Sequence, residues 1–170
     1  MPTTYSTISK LNKQNHLKSI TMFLAAIKIE FRFVNIHHST FLPGLLIDHG
    51  HLLIDTNKLK HPGDILHEAG HIAAMPTNQR ATLCDNVELY GQGPAEEMAA
   101  IAWSWAACCA INLPARELFH AEGYRGASDN YLHAFENNGG FGYPMLIYWG
   151  LAEDPQQPNG YPKMKHWLRQ

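Results

Sequence analysis

From Ile8 onward the apolar residues Leu11, Leu17, Ile20, Leu24 and Ile27 recur at helical spacing with polar residues between them, the stripe of an amphipathic helix. The residues before it, Met1 to Thr7, are expected to be loose. Phe31, Phe33, Val34 and Ile36 form a β-rich run, and Pro43-Gly44 breaks the chain before Leu45-Leu46-Ile47. Asp48-His49-Gly50 then reads as a tight turn before His51-Leu52-Leu53-Ile54-Asp55, so the two apolar runs predict a hairpin closed at the glycine. Three short antiparallel strands follow from this pattern.

Next come Ile65, Leu66, Ile72 and Ala73, apolar positions on a short helix that Gly63-Asp64 opens, with Asp64 as its cap, and Met75-Pro76 stops. Thr77 to Gly93 is polar and turn-like. Pro94 is a favoured first helical residue, and Ala95 to Ala110 is apolar nearly all round, which predicts a central, buried helix. Beyond Asn112-Leu113-Pro114 a shorter helix is expected to carry Leu118, Phe119 and His120. Glycines 123, 126, 139, 140 and 142 divide the following stretch into loops, and the apolar segment Met145 to Leu151 is expected to pack on the core. The tail from Asp154 is rich in proline and glycine and ends in basic residues, so 154–170 is expected at the periphery. This is the pattern of one α+β domain over 1–170.

Composition narrows the function classes. The chain has 170 residues, 45% of them hydrophobic and 16% charged, with a formal net charge of −2. No basic stripe points to nucleic acid or to an anionic membrane surface, and no apolar stretch is long enough for a membrane span. The run Ile20 to Ile27 behind Lys10, Lys13 and Lys18 imitates a secretion signal, but Lys28 and Glu30 break it at once. Three cysteines, two of them adjacent at Cys108 and Cys109, offer no bridging pattern and no metal-binding spacing. They read as small core residues of a reduced, cytoplasmic protein.

The candidate chemistry is concentrated in His67-Glu68-Ala69-Gly70-His71. Two imidazoles four residues apart lie on one helical face and can share a tetrahedral metal ion, while Glu68 points beside that face. That leaves Glu68 free to act as a general base on a metal-bound water. A catalytic zinc needs one more protein ligand, and Glu96 and Glu97, in the first turn of the apolar helix, are the candidates. Glu97 is preferred because it shares a face with Ile101, Ser104, Trp105 and Cys108. The face of Glu96 carries Ala99, Ala100 and Trp103, and it could instead be the one that packs on Gly70. His120, Tyr124 and Arg125 are the group expected to supply an oxyanion donor. Asp55, Asp64 and Asp85 are candidate outer partners for the ligand histidines. His37, His38, His49, His51, His133 and His166 read as structural or surface residues.

The order of helix, small sheet, H-E-x-x-H helix and glutamate helix resembles the gluzincin division of the zincin metallopeptidases. It is most similar to the small ImmA/IrrE-type zincins, over about residues 8 to 114. Ile72-Ala73-Ala74-Met75-Pro76 after His71 excludes the metzincin extension. The resemblance implies a zincin-like fold with Zn2+ on His67, His71 and one of the glutamates, and Glu68 as base. It also implies a peptide or protein substrate. A non-catalytic zincin-fold sensor or partner-binding module is the alternative, and a non-peptide amide a further possible substrate. The hairpin Leu45 to Asp55 is expected to offer a free edge to an extended substrate, flanked by pockets from Phe141 to Trp149.

Overall fold

The computed structural model describes residues 3–137 and 139–170. Helix α1 runs over Thr3–Ala26, so residues 3–7 belong to it; Met1 and Pro2 lie outside the described residues. Ile20 and Leu24 are fully buried, but Leu11 is exposed, so only the second half of the stripe enters the core. Three strands follow, β1 (Phe31–Phe33), β2 (Leu45–Asp48) and β3 (His51–Ile54).

The β2–β3 hairpin pairs in the expected register, from Leu45 opposite Ile54 to Asp48 opposite His51. His49 and Gly50 both have positive φ, 50° and 75°, which matches the twist of a two-residue hairpin turn. The sheet, however, is mixed. Its order is β1-β3-β2, and β1 runs parallel to β3 with Phe31 opposite Leu52. The expectation of three antiparallel strands fails because the segment from Val34 to Gly44 carries the chain to the far edge. The returning strand then inserts in the middle.

Helix α2 (Asp64–Ala74) lies against this sheet with Ile65, Leu66, Ala69, Ile72 and Ala73 buried. Its cap is Gly63, not Asp64, which sits inside the first turn. Helix α3 (Pro94–Ala110) is central as its composition predicts, with Ala99, Ala100, Ala102, Ala106 and Ala107 at zero exposure. The two helices meet at Gly70, where an added Cβ would lie 2.6 Å from the Ala100 carbonyl oxygen. Small residues on both sides let the backbones touch.

Beyond α3, helix α4 (Ala115–Leu118) ends before Phe119 and His120, which therefore leave the helix instead of riding on it. Helix α5 (Ser128–Asn137) occupies a stretch that its flanking glycines suggested was loop. Its Tyr131 and Phe135 pack on Phe119 and Phe141, a face that supplies the missing reason for a helix there. Helix α6 (Tyr143–Tyr148) packs on α3, as expected of the apolar segment that contains it.

The tail is not peripheral. Tyr161 is buried with its hydroxyl donating to the Ala102 carbonyl at 2.9 Å, and Trp167 packs edge-on against Phe23 and Trp103. Of the cysteines, only Cys108 is a core residue; Cys109 is exposed and Cys84 intermediate, and all three are free thiols. Among the described residues no helix is long and apolar enough to cross a membrane.

Candidate metal centre

On α2, the helical offset of four places His67 and His71 side by side, with ring centroids 4.9 Å apart. From α3, the Glu97 carboxylate reaches both: Oε1 lies 3.5 Å from His67 Nε2 and Oε2 lies 3.1 Å from His71 Nε2. One donor atom from each residue falls within 4.8 Å of the others. Glu96 turns away and accepts the Gly93 backbone N–H at 3.0 Å, closing a cap on the first turn of α3.

The alanine face of α3 is the one that meets Gly70, yet Glu97 is the glutamate brought to the histidines. Glu97 precedes Ala100 by nearly one helical turn, so the close crossing at Gly70 lifts it to the level of the two rings. Its side chain remains about half exposed, at 48%, because it faces a cavity and not the core.

The outer partner of His71 is Gln92. His71 Nδ1 lies 2.6 Å from Gln92 Oε1, and the Gln92 amide nitrogen donates to the His71 carbonyl at 2.8 Å. An imidazole whose Nδ1–H donates to an amide oxygen presents the Nε2 lone pair, the form a metal requires. This fits the donor set to a divalent cation. None of the three aspartates proposed as outer partners does this work. Asp55 accepts the N–H groups of Ile36 and Asn57, Asp64 pairs with His120, and Asp85 accepts the Ile47 N–H at 3.0 Å. Gln92 was missed because no residue pattern distinguishes a glutamine that meets a histidine only in three dimensions.

The three groups and Glu68 share a cavity of about 950 Å3. Loss of water around the Glu68 carboxyl, reinforced by the carboxylates of Asp85, Glu97 and Asp64, pushes it up to about 7 against the pull of His71. Burial and the neighbouring His71 push His67 down to about 4. Burial pulls His71 down too, but Glu97 and Glu68 hold it above its ordinary value. The Glu97 carboxyl is depressed despite its partial burial, by the two histidines and Arg125.

His120, Tyr124 and Arg125 line the same cavity. His120 Nε2 lies 2.8 Å from Asp64 Oδ1, its ring stacks on His61 at 3.6 Å, and its Nδ1 is buried without a partner. Tyr124 stands edge-on to His67 with centroids 6.0 Å apart, and burial raises its hydroxyl well above the ordinary phenol range. Tyr124 and Arg125 both have φ of 53°, a strained conformation of the kind found at ligand sites.

Two expectations about substrate contacts fail. The outward N–H groups of β2 are already taken, Ile47 by Asp85 and Leu45 by the Leu42 carbonyl at 3.1 Å, while β3 is interior. The outer edge of the hairpin therefore offers a substrate strand neither the Leu45 nor the Ile47 N–H. Nor do Phe141 to Trp149 form the flanking pocket; the apolar wall comes from Phe41, Leu42, Val87 and Tyr131. Of the histidines read as structural or surface, His51 pairs with Glu30 and His133 with Asn137, while His37, His38 and His166 are exposed. Compared with family models, curated proteins and solved structures, the chain matches none.

Proposed function

We propose that the protein is a zincin-like, zinc-dependent hydrolase of restricted specificity, a metallopeptidase in which His67, His71 and Glu97 hold the metal and Glu68 is the general base. The observation that carries this reading is the convergence of two imidazoles and one carboxylate, within 4.8 Å, in a cavity that Glu68 also lines without joining them. A purely structural zinc site has no use for that fourth residue. When bound, zinc supplies an acidified water and a Lewis acid for the carbonyl of the scissile amide.

The chain's own residues do the rest. Gln92 holds the His71 tautomer, Glu68 takes a proton and returns it to the leaving amine, and His120 is oriented by Asp64. Tyr124, in the cavity wall, is the donor for the developing oxyanion, whereas the ring nitrogens of His120 are withdrawn, Nε2 by Asp64 and Nδ1 by burial. The cavity wall offers side-chain contacts to a substrate, and Phe41, Leu42 and Val87 favour an apolar residue beside the cleaved bond.

The test is an unbiased peptide-library cleavage assay on zinc-loaded protein, with Glu68→Gln as the control. Glutamine keeps shape and loses basicity, so the variant is expected to retain one zinc at the triad while cleavage falls by about 100-fold or more. Wild type and variant equally inert, with both binding a common partner, would replace this reading by that of a binding module.

A further inference from the structure

We propose that Asp48, His49 and Cys84 form a second metal site, for a thiophilic divalent cation such as Zn2+ or Cd2+, at the tip of the β2–β3 hairpin. One donor atom from each residue falls within 4.8 Å of the others. Asp48 Oδ1 and His49 Nδ1 are 2.7 Å apart, and both side chains are open to solvent, at 51% and 72% exposure. Water can therefore complete the coordination sphere.

What distinguishes this group from an accidental surface cluster is how Cys84 is held. Gly50, in the turn itself, donates its N–H to the Leu83 carbonyl at 2.8 Å, and Ile47 donates to Asp85 Oδ1 at 3.0 Å. The residues on both sides of Cys84 are thus tied to the hairpin, and the sulfur is delivered to the turn by a frame that does not depend on any ion. The turn is equally constrained: a Cβ at Gly50 would come within 2.5 Å of the Arg80 carbonyl oxygen. The Cys84 thiol also lies against the Tyr90 hydroxyl, which it holds above the ordinary phenol range.

The donor types select the cation. A thiolate beside an imidazole and a carboxylate suits zinc or cadmium and disfavours magnesium and calcium, which take oxygen ligands. The site shares no residue with the His67–His71–Glu97 group. It is nonetheless mechanically close, because Asp85 follows Cys84 directly and lines the cavity that holds Glu68. An ion at the turn braces that wall.

Cobalt(II) titration of the metal-free full chain, in a phosphine reductant, tests the proposal. A thiolate ligand gives cobalt a near-ultraviolet charge-transfer band, and the triad contains no sulfur. The expected result is a band that disappears in Cys84→Ser, persists in Cys109→Ser, and persists in His67→Ala, which removes only the sulfur-free cobalt. Should Cys84→Ser unfold, His49→Ala at the exposed turn serves instead. Its band is expected to require on the order of tenfold more cobalt, since losing a ligand costs at least what losing an outer partner costs. A wild type without the band, a band retained in Cys84→Ser, or unchanged affinity in His49→Ala would overturn the site. None of these results bears on the triad, whose failure would appear as unchanged cobalt stoichiometry in His67→Ala.

Discussion

A glutamine decides the tautomer of His71, and its removal is a sharper probe than removal of a ligand. Without Gln92 Oε1 on Nδ1, the ring can turn and can carry its proton on Nε2, the atom that faces Glu97. Gln92→Ala is therefore expected to keep the fold and weaken zinc binding roughly 10- to 100-fold, read by competition with a chromophoric chelator. Equal affinity in the variant would show that Glu97 alone orients the ring. Asp55 offers a second measurement at this scale. Its carboxylate accepts the Ile36 and Asn57 N–H groups, both at 3.0 Å, and these bonds, the Ile36 one foremost, together with Lys58 hold its pKa below the usual 3.8. A depressed folded pKa means stabilisation that is present above 3.8 and lost as the pH falls through the lower folded value. Urea midpoints measured from neutral to strongly acid pH should fall in that window for the wild type. The Asp55→Asn profile should be flatter there.

Single elements were legible in the sequence where the information is local. The H-E-x-x-H helix, the two-residue turn at His49-Gly50 and the apolar helix α3 each follow from spacing or composition within a few residues. The parallel pairing of β1 with β3 does not, because nothing in Phe31–Phe33 states which strand will lie beside it. Nor does α5, whose reason to be helical is the aromatic cluster that Phe119 and Phe141 bring to it. That Glu97 and not Glu96 lies beside the two histidines has a different cause from the apolar face of α3. The contact of Gly70 with Ala100 sets the height of α3 against α2, and that height selects the glutamate. Gly70→Ala tests this, since its Cβ cannot fit 2.6 Å from a backbone oxygen without separating the helices. The expected cost is about 1–3 kcal/mol in chemical denaturation, accompanied by weaker zinc binding as Glu97 withdraws. Lost stability with undiminished zinc affinity would mean that the crossing does not position the carboxylate.

On the scale of the whole molecule, the C-terminal tail ties the last turn of α1 and helix α3 to the motif helix. Trp167 packs on Phe23 of α1 at 4.8 Å and on Trp103 of α3 at 5.5 Å, and its carbonyl accepts the Trp103 indole N–H at 2.9 Å. Arg169 then finishes α2. Its backbone N–H donates to the Ala73 carbonyl at 3.0 Å, its guanidinium to the Ala74 carbonyl at 3.2 Å, and its own carbonyl accepts from Arg80 at 2.6 Å. Carbonyls at a helix C-terminus have no partner within the helix, and here the tail provides partners and a positive charge at the negative end of the dipole. Truncation after His166 removes all of this at once. The lost tryptophan contact is worth about 3 kcal/mol and each unmet buried hydrogen bond about 1 kcal/mol. Their sum approaches the entire stability of an ordinary domain, about 5–15 kcal/mol. The shortened chain is expected to unfold at much lower urea than the full chain and, with α2 frayed from its C-terminal end where His71 sits, to bind zinc poorly. Trp167→Ala, which keeps the Arg169 contacts, should fall between the two. If the truncated chain kept its urea midpoint and its zinc, the tail would be the peripheral segment that its proline and glycine content suggested.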